Sequence, residues 1–398
     1  MNIKKTLLSD EMELNTTTKS ELVDFFEILS RREIKEVVVD KVYYITGTKK
    51  NPPFKEINIS RIGGDFDKET VVPEVTTLVI KDREELDEAV ETGFVIKTVE
   101  GEYYFMSDSV YFTLTSKVGI SLANLASKDA ETMAKKAMLL DVLMRNQKYR
   151  FGFVKEDDFA RVFVIGSTAY NHINATELKD LVESLDGGAL GVSDLTYATA
   201  NQDMTEVVLS YPVVPTTYGG QDINEVYQKF GFSPAVVIQT SDNGHSAYRA
   251  MAVWVKNGHY FVEDSHSRQH RYEVNLKKLR KDIEKNIFTK FTELLPRLNE
   301  LANEICSFGD PQAIKDAIDT LIDKAADKLP KKETWASKKL IKELKSQVYT
   351  KMAANYDFSD PITMADVVVT ILGSVEWFKL PASHETDFKT FIGTIPYV

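Results

Sequence analysis

The chain has 398 residues and a formal net charge of −11, with 43% hydrophobic and 27% charged residues. Its 21 Phe, 17 Tyr and 3 Trp exclude a disordered chain, and its length allows two or three domains. A single cysteine, Cys306, excludes an intramolecular disulfide framework and points to a reducing, cytoplasmic setting.

The opening MNIKKTLLSDEMEL has an apolar run too short for a secretory leader. Residues 18–36, TKSELVDFFEILSRREIKE, read as one helix with Leu22, Phe25, Phe26 and Leu29 at helical spacing. Strands follow in VVVDKVYYITGTKK, INISRIGGDF, EVTTLVI, GFVIKTV and EYYFM, punctuated by Gly and Pro and read as hairpins. The pattern turns helical after SDSVYFTLT, where VGISLANLASKDAETMAKKAMLLDVLMRN places Ile120, Leu122, Leu125, Met133, Ala137, Leu140 and Leu143 on core-facing positions. Arg161 to Ile165 reads as a buried strand, followed by a turn and a helix capped at Asn174 or Thr176.

MTEVVLSYPVV and AVVIQTS read as further strands, then AYRAMAVWV, a turn at Lys256-Asn257-Gly258-His259, and YFVED. From Val274 to Ile305 an apolar stripe at three- and four-residue spacing predicts a long amphipathic helix, or two joined near Pro296. Helices are expected over 312–328, 333–354 and 362–374, and the tail LPASHETDFKTFIGTIPYV reads as an extended strand. ADVVVTILGSVEWF, between Asp366 and Glu376, falls short of the roughly 20 residues that span a bilayer, so no membrane insertion is expected. The expected fold class is α+β, with mixed antiparallel sheets, long amphipathic helices and a C-terminal helical region. Its expected units are an N-terminal α+β unit (1–100), a core domain (101–305) and a C-terminal helical region with an extended tail (306–398).

Four of the six histidines fall within 241–272, SDNGHSAYRAMAVWVKNGHYFVEDSHSRQHRY, beside Arg249, Arg268 and Arg271. His266 and His270 have zinc-like spacing, but the stretch lacks helical periodicity and its arginines would repel a cation. Anion binding suits it better: Arg presents a fork to phosphate, and a Gly-bearing turn such as Asp242-Asn243-Gly244-His245 lets backbone N–H groups approach a ligand. Tyr248, Trp254, Tyr260, Phe261 and Tyr272 are interleaved with these donors, as in sites that hold single strands by stacking. The plain alternative is exposed loop histidines and core aromatics. From Arg268 to Lys290 eight basic residues stand against three acidic ones, a local +5 in an acidic chain. Lys277, Lys281 and Lys285, with Lys278, form a stripe that is either a solvated face or a phosphate-binding one continuous with Arg268 and Arg271. No nucleophile elbow or phosphate loop is present, and Cys306 reads as core.

Three stretches, in order, resemble the phage/plasmid-like family that carries domain of unknown function 932. YFTLTSKVGISLANLASKDAETM resembles its helix-opening segment. ARVFVIGSTAYNHINATELKDLVESL is similar to its Arg-Ser-Tyr-Asn element, at Arg161, Ser167, Tyr170, Ile173 and Asn174. VIQTSDNGHSAYRAMAVWVKNGHYF resembles its Ser-Asp-Gly-Arg element, at Ser241, Asp242, Gly244, Ala247 and Arg249, followed by Asn257-Gly258; SRQH (267–270) resembles its basic motif. Val255-Lys256 replaces a Cys-Thr common in the family, so no role for that cysteine carries over. The resemblance, over roughly residues 100–305, implies an intracellular protein of a mobile element concerned with its DNA, and no established activity.

The expected function is a non-enzymatic phage or plasmid protein that binds nucleic acid, in the first place single-stranded DNA in recombination, annealing or replication. The expected contacts are His245, Arg249, Arg268, His270, Arg271, Lys277, Lys278, Lys281 and Lys285. No cofactor or catalytic residue is expected; a homo-oligomer is. Two alternatives stay open: an acidic protein that binds and inhibits or scaffolds a host or phage protein, and a metal-dependent nuclease using His245, His266 and His270.

Overall fold

Leu22, Phe25, Phe26 and Leu29 form the buried face of helix α1 (Lys19–Leu29), as their spacing predicts, behind a short strand β1 (Glu13–Thr16). The helix ends seven residues before the expected limit, because Arg32 opens the 20-residue strand β2 (Arg32–Asn51). REIKE lacks an apolar stripe of its own, so its state follows its partner. Arg32–Val38 pair antiparallel with a later strand that satisfies their backbone, and Lys148 and Arg150 there meet Glu36, the arginine at 3.0 Å. The computed structural model of the chain describes residues 7–63, 72–117, 129–166, 173–187, 191–212, 233–240, 249–256, 258–262, 304–306, 310–327 and 338–375, with Phe388 and Ile392.

After β2 come β3 (Phe54–Gly63), β4 (Val72–Lys81), α2 (Glu84–Thr92), β5 (Phe94–Thr98) and β6 (Tyr103–Met106). Then follow α3 (Asp108–Lys117), α4 (Ala130–Met144), β7 (Lys148–Glu156) and β8 (Phe159–Gly166). The seven-stranded sheet runs β4-β3-β2-β5-β6-β8-β7, and β7 pairs back onto β2, so β2, β5, β6, β8 and β7 close into a ring. β2 serves three partners in succession: Arg32–Val38 face β7, Val39–Tyr44 face β5, and Tyr44–Asn51 face β3. Register shifts between Val39 and Lys41 and between Ile45 and Gly47 let it bend around the ring. All pairs in the sheet are antiparallel except β6–β8, which is parallel. Val37, Val39, Val42, Phe94, Ile96, Tyr104, Met106, Phe151, Phe153 and Val162 belong to the core of the ring, and α3 and α4 add Val110, Leu114, Met133, Ala137 and Leu140 to it. Tyr104 meets Phe151 and Phe153 edge-on, at 5.5 and 5.1 Å.

Two expectations are corrected here. SDSVYFTLT is helical, as α3, and the expected string of hairpins is interrupted by α2. Residue 100 falls on the turn of the β5–β6 hairpin, whose strands pair in register on either side of it.

Helix α5 (Ala175–Leu185) begins at Asn174 with a capping box: Glu177 N donates to Asn174 Oδ1 at 2.8 Å, and Asn174 N donates to Glu177 Oε2 at 3.0 Å. Strands β9 (Asp194–Asn201), β10 (Thr205–Ser210), β11 (Ser233–Thr240), β12 (Arg249–Lys256) and β13 (His259–Val262) form an antiparallel sheet with β1 at its edge, in the order β1-β9-β10-β11-β12-β13. Its Ala198, Ala200, Val207, Leu209, Val236 and Ile238 join the main core with α1 and α5; the intervening Val208, Ala235, Val237, Val253 and Val255 form a second, smaller one. The expected turn between β12 and β13 is present, with Gly258 at φ 79°, in the left-handed region that favours glycine.

The C-terminal elements are β14 (Glu304–Cys306), α6 (Pro311–Asp327), α7 (Lys338–Asn355), β15 (Ile362–Thr363) and α8 (Met364–Val375). The helices match expectation, but Glu304 and Ile305 do not end a helix: with Cys306 they form β14, which pairs with β15. The rest of the expected helix over 274–303 lies outside the described residues. Of the tail read as extended, Phe388 and Ile392 are described; both are helical and buried. Overall the chain is α+β. Among the described residues no helix is long and apolar enough to cross a membrane.

Candidate functional site

Most residues of the predicted basic face lie outside the described residues: His245, Arg268, His270, Arg271, Lys277, Lys278, Lys281 and Lys285. So do Ser167, Tyr170, Asp242, Gly244 and Asn257 of the motif stretches, together with His266. Arg249 opens β12, opposite Gln239 of β11. Among the described residues no three His, Cys, Asp or Glu side chains are grouped to hold a metal ion.

Arg161 is the motif residue whose place is most informative. Its side chain on β8 is fully buried; Nη1 donates to Leu8 O and Nη2 to Asp10 Oδ2, each at 2.7 Å, with Glu88 at 3.7 Å and the Phe163 ring centroid at 5.6 Å. It therefore ties the chain's N-terminal residues and α2 to the barrel. Burial pushes the Asp10 carboxyl up to about 6, against the opposing pull of Arg161, with Asp108 and Glu88 adding repulsion. A carboxyl that holds its proton more tightly folded than unfolded stabilises the fold fully below its unfolded value near 4. That contribution is lost as pH rises through about 6. The contribution of Asp10 to stability is expected to fall between pH 4 and 6.5, by on the order of 2–3 kcal/mol, while carboxyls held down by their partners, such as Glu36, Glu74 and Glu102, act in the opposite sense at the acid end. Urea titrations across that window check this; Asp10→Asn should flatten the slope.

The strands of the ring, numbered along the chain, run first-second-third-fifth-fourth-first, with helices between third and fourth and a parallel third–fifth pair. This is the arrangement of an OB-type barrel. In such barrels the outer face of the second and third strands is the usual working surface. Here it is covered. Val95 of β5 and Phe105 of β6 share a core with Leu86 and Ala89 of α2 and with Leu7 and Leu8, and Thr92 Oγ1 donates to Met106 O at 2.6 Å. Arg83, just before α2, clasps the β7–β8 turn through Glu156 at 3.1 Å and Asp158 at 3.4 Å.

The open recess lies on the other side of the barrel. Ile34 of β2, Gly152 of β7 and Val164 of β8 stand side by side in register and form its floor. A Cβ on Gly152 would stand 3.0 Å from Val164 Cβ, so the absence of a side chain keeps the floor flat. The first turn of α5 (Asn174, Ala175, Leu178) forms one wall, with Ile173 before it, and the six-stranded sheet contributes Gln202, Thr205 and Thr240. Arg32 Nη2 donates to Asn201 O at 2.9 Å and Gln202 Oε1 at 3.3 Å, anchoring β2 to the β9–β10 turn. The cleft is narrow, with a volume of about 30 Å³, and opens into a wider mouth lined by Arg32, Glu33, Arg150, Thr176 and Glu177. Thr205 and Thr240 are opposite each other in the β10–β11 register and only 5% and 6% exposed, and neither hydroxyl makes a hydrogen bond among the described residues.

Of the predicted motif residues, Asn174 lines this cleft, and Thr240 immediately precedes the Ser241-Asp242 stretch. Ile34, Gly152, Thr205 and Thr240 were not singled out from sequence, since single small or hydroxyl residues in strands carry no local signal. No family model matches the chain, and neither a curated protein nor a solved structure does.

Proposed function

We propose that this chain is a non-enzymatic nucleic-acid-binding protein of a phage or plasmid, which holds single-stranded DNA during recombination, annealing or replication. The observation that carries the reading is the strand order of the ring, β2-β5-β6-β8-β7-β2, because barrels of that order are recurrent binders of single strands. The charge distribution along the sequence supports it: a +5 segment from Arg268 to Lys290 stands in a chain of net charge −11. The strand is held on the side of the barrel opposite α2, since the chain covers the usual face itself.

Titrating single- and double-stranded DNA at two salt concentrations tests this. Single strands are expected to bind more tightly, with affinity falling steeply as salt rises. Reversing Lys277 and Lys281 together to Glu should weaken binding at least tenfold at low salt. It should also flatten the salt slope by about 1.4, two phosphate contacts at roughly 0.7 each. An intact chain that binds no DNA at low salt overturns the proposal.

A further inference from the structure

We propose that β4 is a self-pairing edge, through which two copies of the chain join antiparallel about a two-fold axis at Thr77 into one continuous sheet. Among the described residues β4 pairs with β3 alone, along all 10 of its residues. Its backbone alternates between that partner and the open side. Asp82 N donates back to Pro53 O at 2.9 Å, whereas Lys81 N donates to Asp158 Oδ2, also at 2.9 Å, so the Phe54–Lys81 pair is of the kind that exchanges no hydrogen bonds. Counting back by twos from Lys81, the N–H and C=O groups of Val79, Thr77 and Val75 face outward, and no hydrogen bond to them is made among the described residues. Such an edge is a template for another strand.

The residues of the edge select a second copy as its occupant. Natural edges are kept apart by charge or proline. Here Pro73 and Lys81 stand at the two ends, and Glu74 is held by Lys41, Tyr43 and Arg61 of its own chain. Between them Val75, Thr76, Thr77, Leu78, Val79 and Ile80 carry no charge and are mostly β-branched, as strands prefer. Pro73 offers no N–H and that of Lys81 is taken, so these two residues bound the usable span, and its midpoint is Thr77. With the axis there, Val75 of one copy stands opposite Val79 of the other, Thr77 opposite its own equivalent, and Thr76 opposite Leu78. The three residues with outward backbone therefore meet one another, which makes every such pair a hydrogen-bonded one. Val75 and Val79 are 63% and 59% exposed on one face, and the same pairing brings each against the other across the axis. The other end of the sheet, β7, is already paired to β2, so one edge is used up and the assembly closes at two. One strand a side is small against the roughly 20–30 residues a side of a standard interface, so the dimer is reversible.

Sedimentation equilibrium of the full chain tests this, with a dimer expected at about 100 μM that dissociates on dilution. Each copy carries −11, so two copies repel at long range and added salt is expected to tighten the dimer, the reverse of its effect on DNA binding. Val75→Lys with Val79→Lys sets like charges opposite each other on both sides of the axis and should weaken the dimer roughly tenfold or more. Val75→Glu with Val79→Lys sets opposite charges there and should keep the dissociation constant within about threefold of that of the unaltered chain. Both positions are exposed, so neither pair of changes disturbs the core. Thr77→Pro removes an outward N–H at the axis and should abolish pairing; if it lowers the melting temperature, the two exposed pairs decide. A chain that is monomeric at about 100 μM would overturn the proposal. So would a dimer that salt weakens, one that the lysine pair leaves intact, or a Glu/Lys pair as weak as the lysine pair. The single-strand reading is untouched by any of these results.

Discussion

Arg161→Ala is expected to lower folding stability by about 3–5 kcal/mol at pH 7.5. The guanidinium is fully buried and holds Leu8 O and Asp10 Oδ2 at 2.7 Å. Its removal leaves a cavity, an unpaired carbonyl, and the carboxylates of Asp10 and Glu88 facing each other without their shared cation. The midpoint of urea unfolding checks this, with an unchanged denaturant slope showing that stability alone has moved. Lys19→Ala provides the contrast. The Lys19–Asp186 pair has the same 2.7 Å separation but is 40% and 37% exposed, and its loss should cost less than about 1 kcal/mol. A similarly small loss from Arg161→Ala would show that this residue does not fasten the N-terminal segment to the barrel.

Asp141→Ala is the second large effect, again about 3–5 kcal/mol. Asp141 sits on α4 with its side chain 2% exposed. Its Oδ1 accepts from Val42 N at 2.9 Å and Arg61 Nε at 3.2 Å, and its Oδ2 accepts from Arg61 Nη2 at 2.8 Å and from Arg145. One carboxylate thus joins the helix that plugs the barrel to β2 beside its bend and to the β3–β4 extension. Without it, Arg61, itself 9% exposed, keeps among the described residues only Glu74, at 3.7 Å. Replacing both partners, as Arg61→Met with Asp141→Leu, should recover much of the loss, because the penalty comes from the charge left behind rather than from the missing attraction. A double variant no better than Asp141→Ala would count against that account.

Both residues show where local reading of the chain stops. Arg161 stands out in sequence as part of a motif, and a charged residue in an apolar strand invites a ligand-binding role; the fold turns it inward to the chain's own Asp10. Asp141, within AMLLDVLM, has no sequence feature that announces a partner eighty residues earlier. The helix predicted over 18–36 fails at Arg32 for the same reason: REIKE is compatible with helix until β7, more than a hundred residues later, offers it a strand partner. The cleft is still less legible, since Ile34, Gly152, Asn174, Thr205 and Thr240 come from five separate elements or their caps.

By itself the sequence determined the α+β class, the buried face of α1, the buried strand β8, the Asn174 cap of α5, the β12–β13 hairpin and the three C-terminal helices. In each case neighbours within a few residues, through apolar spacing, a capping side chain or a turn glycine, are enough to select the conformation. Tertiary structure alone decided that β2 bends to close a five-membered ring, that the face of β5 and β6 is covered by α2, and that two threonine hydroxyls share a recess with Gly152. These depend on which distant segments meet, and pairing energy between strands a hundred residues apart leaves no trace in the local pattern of either one.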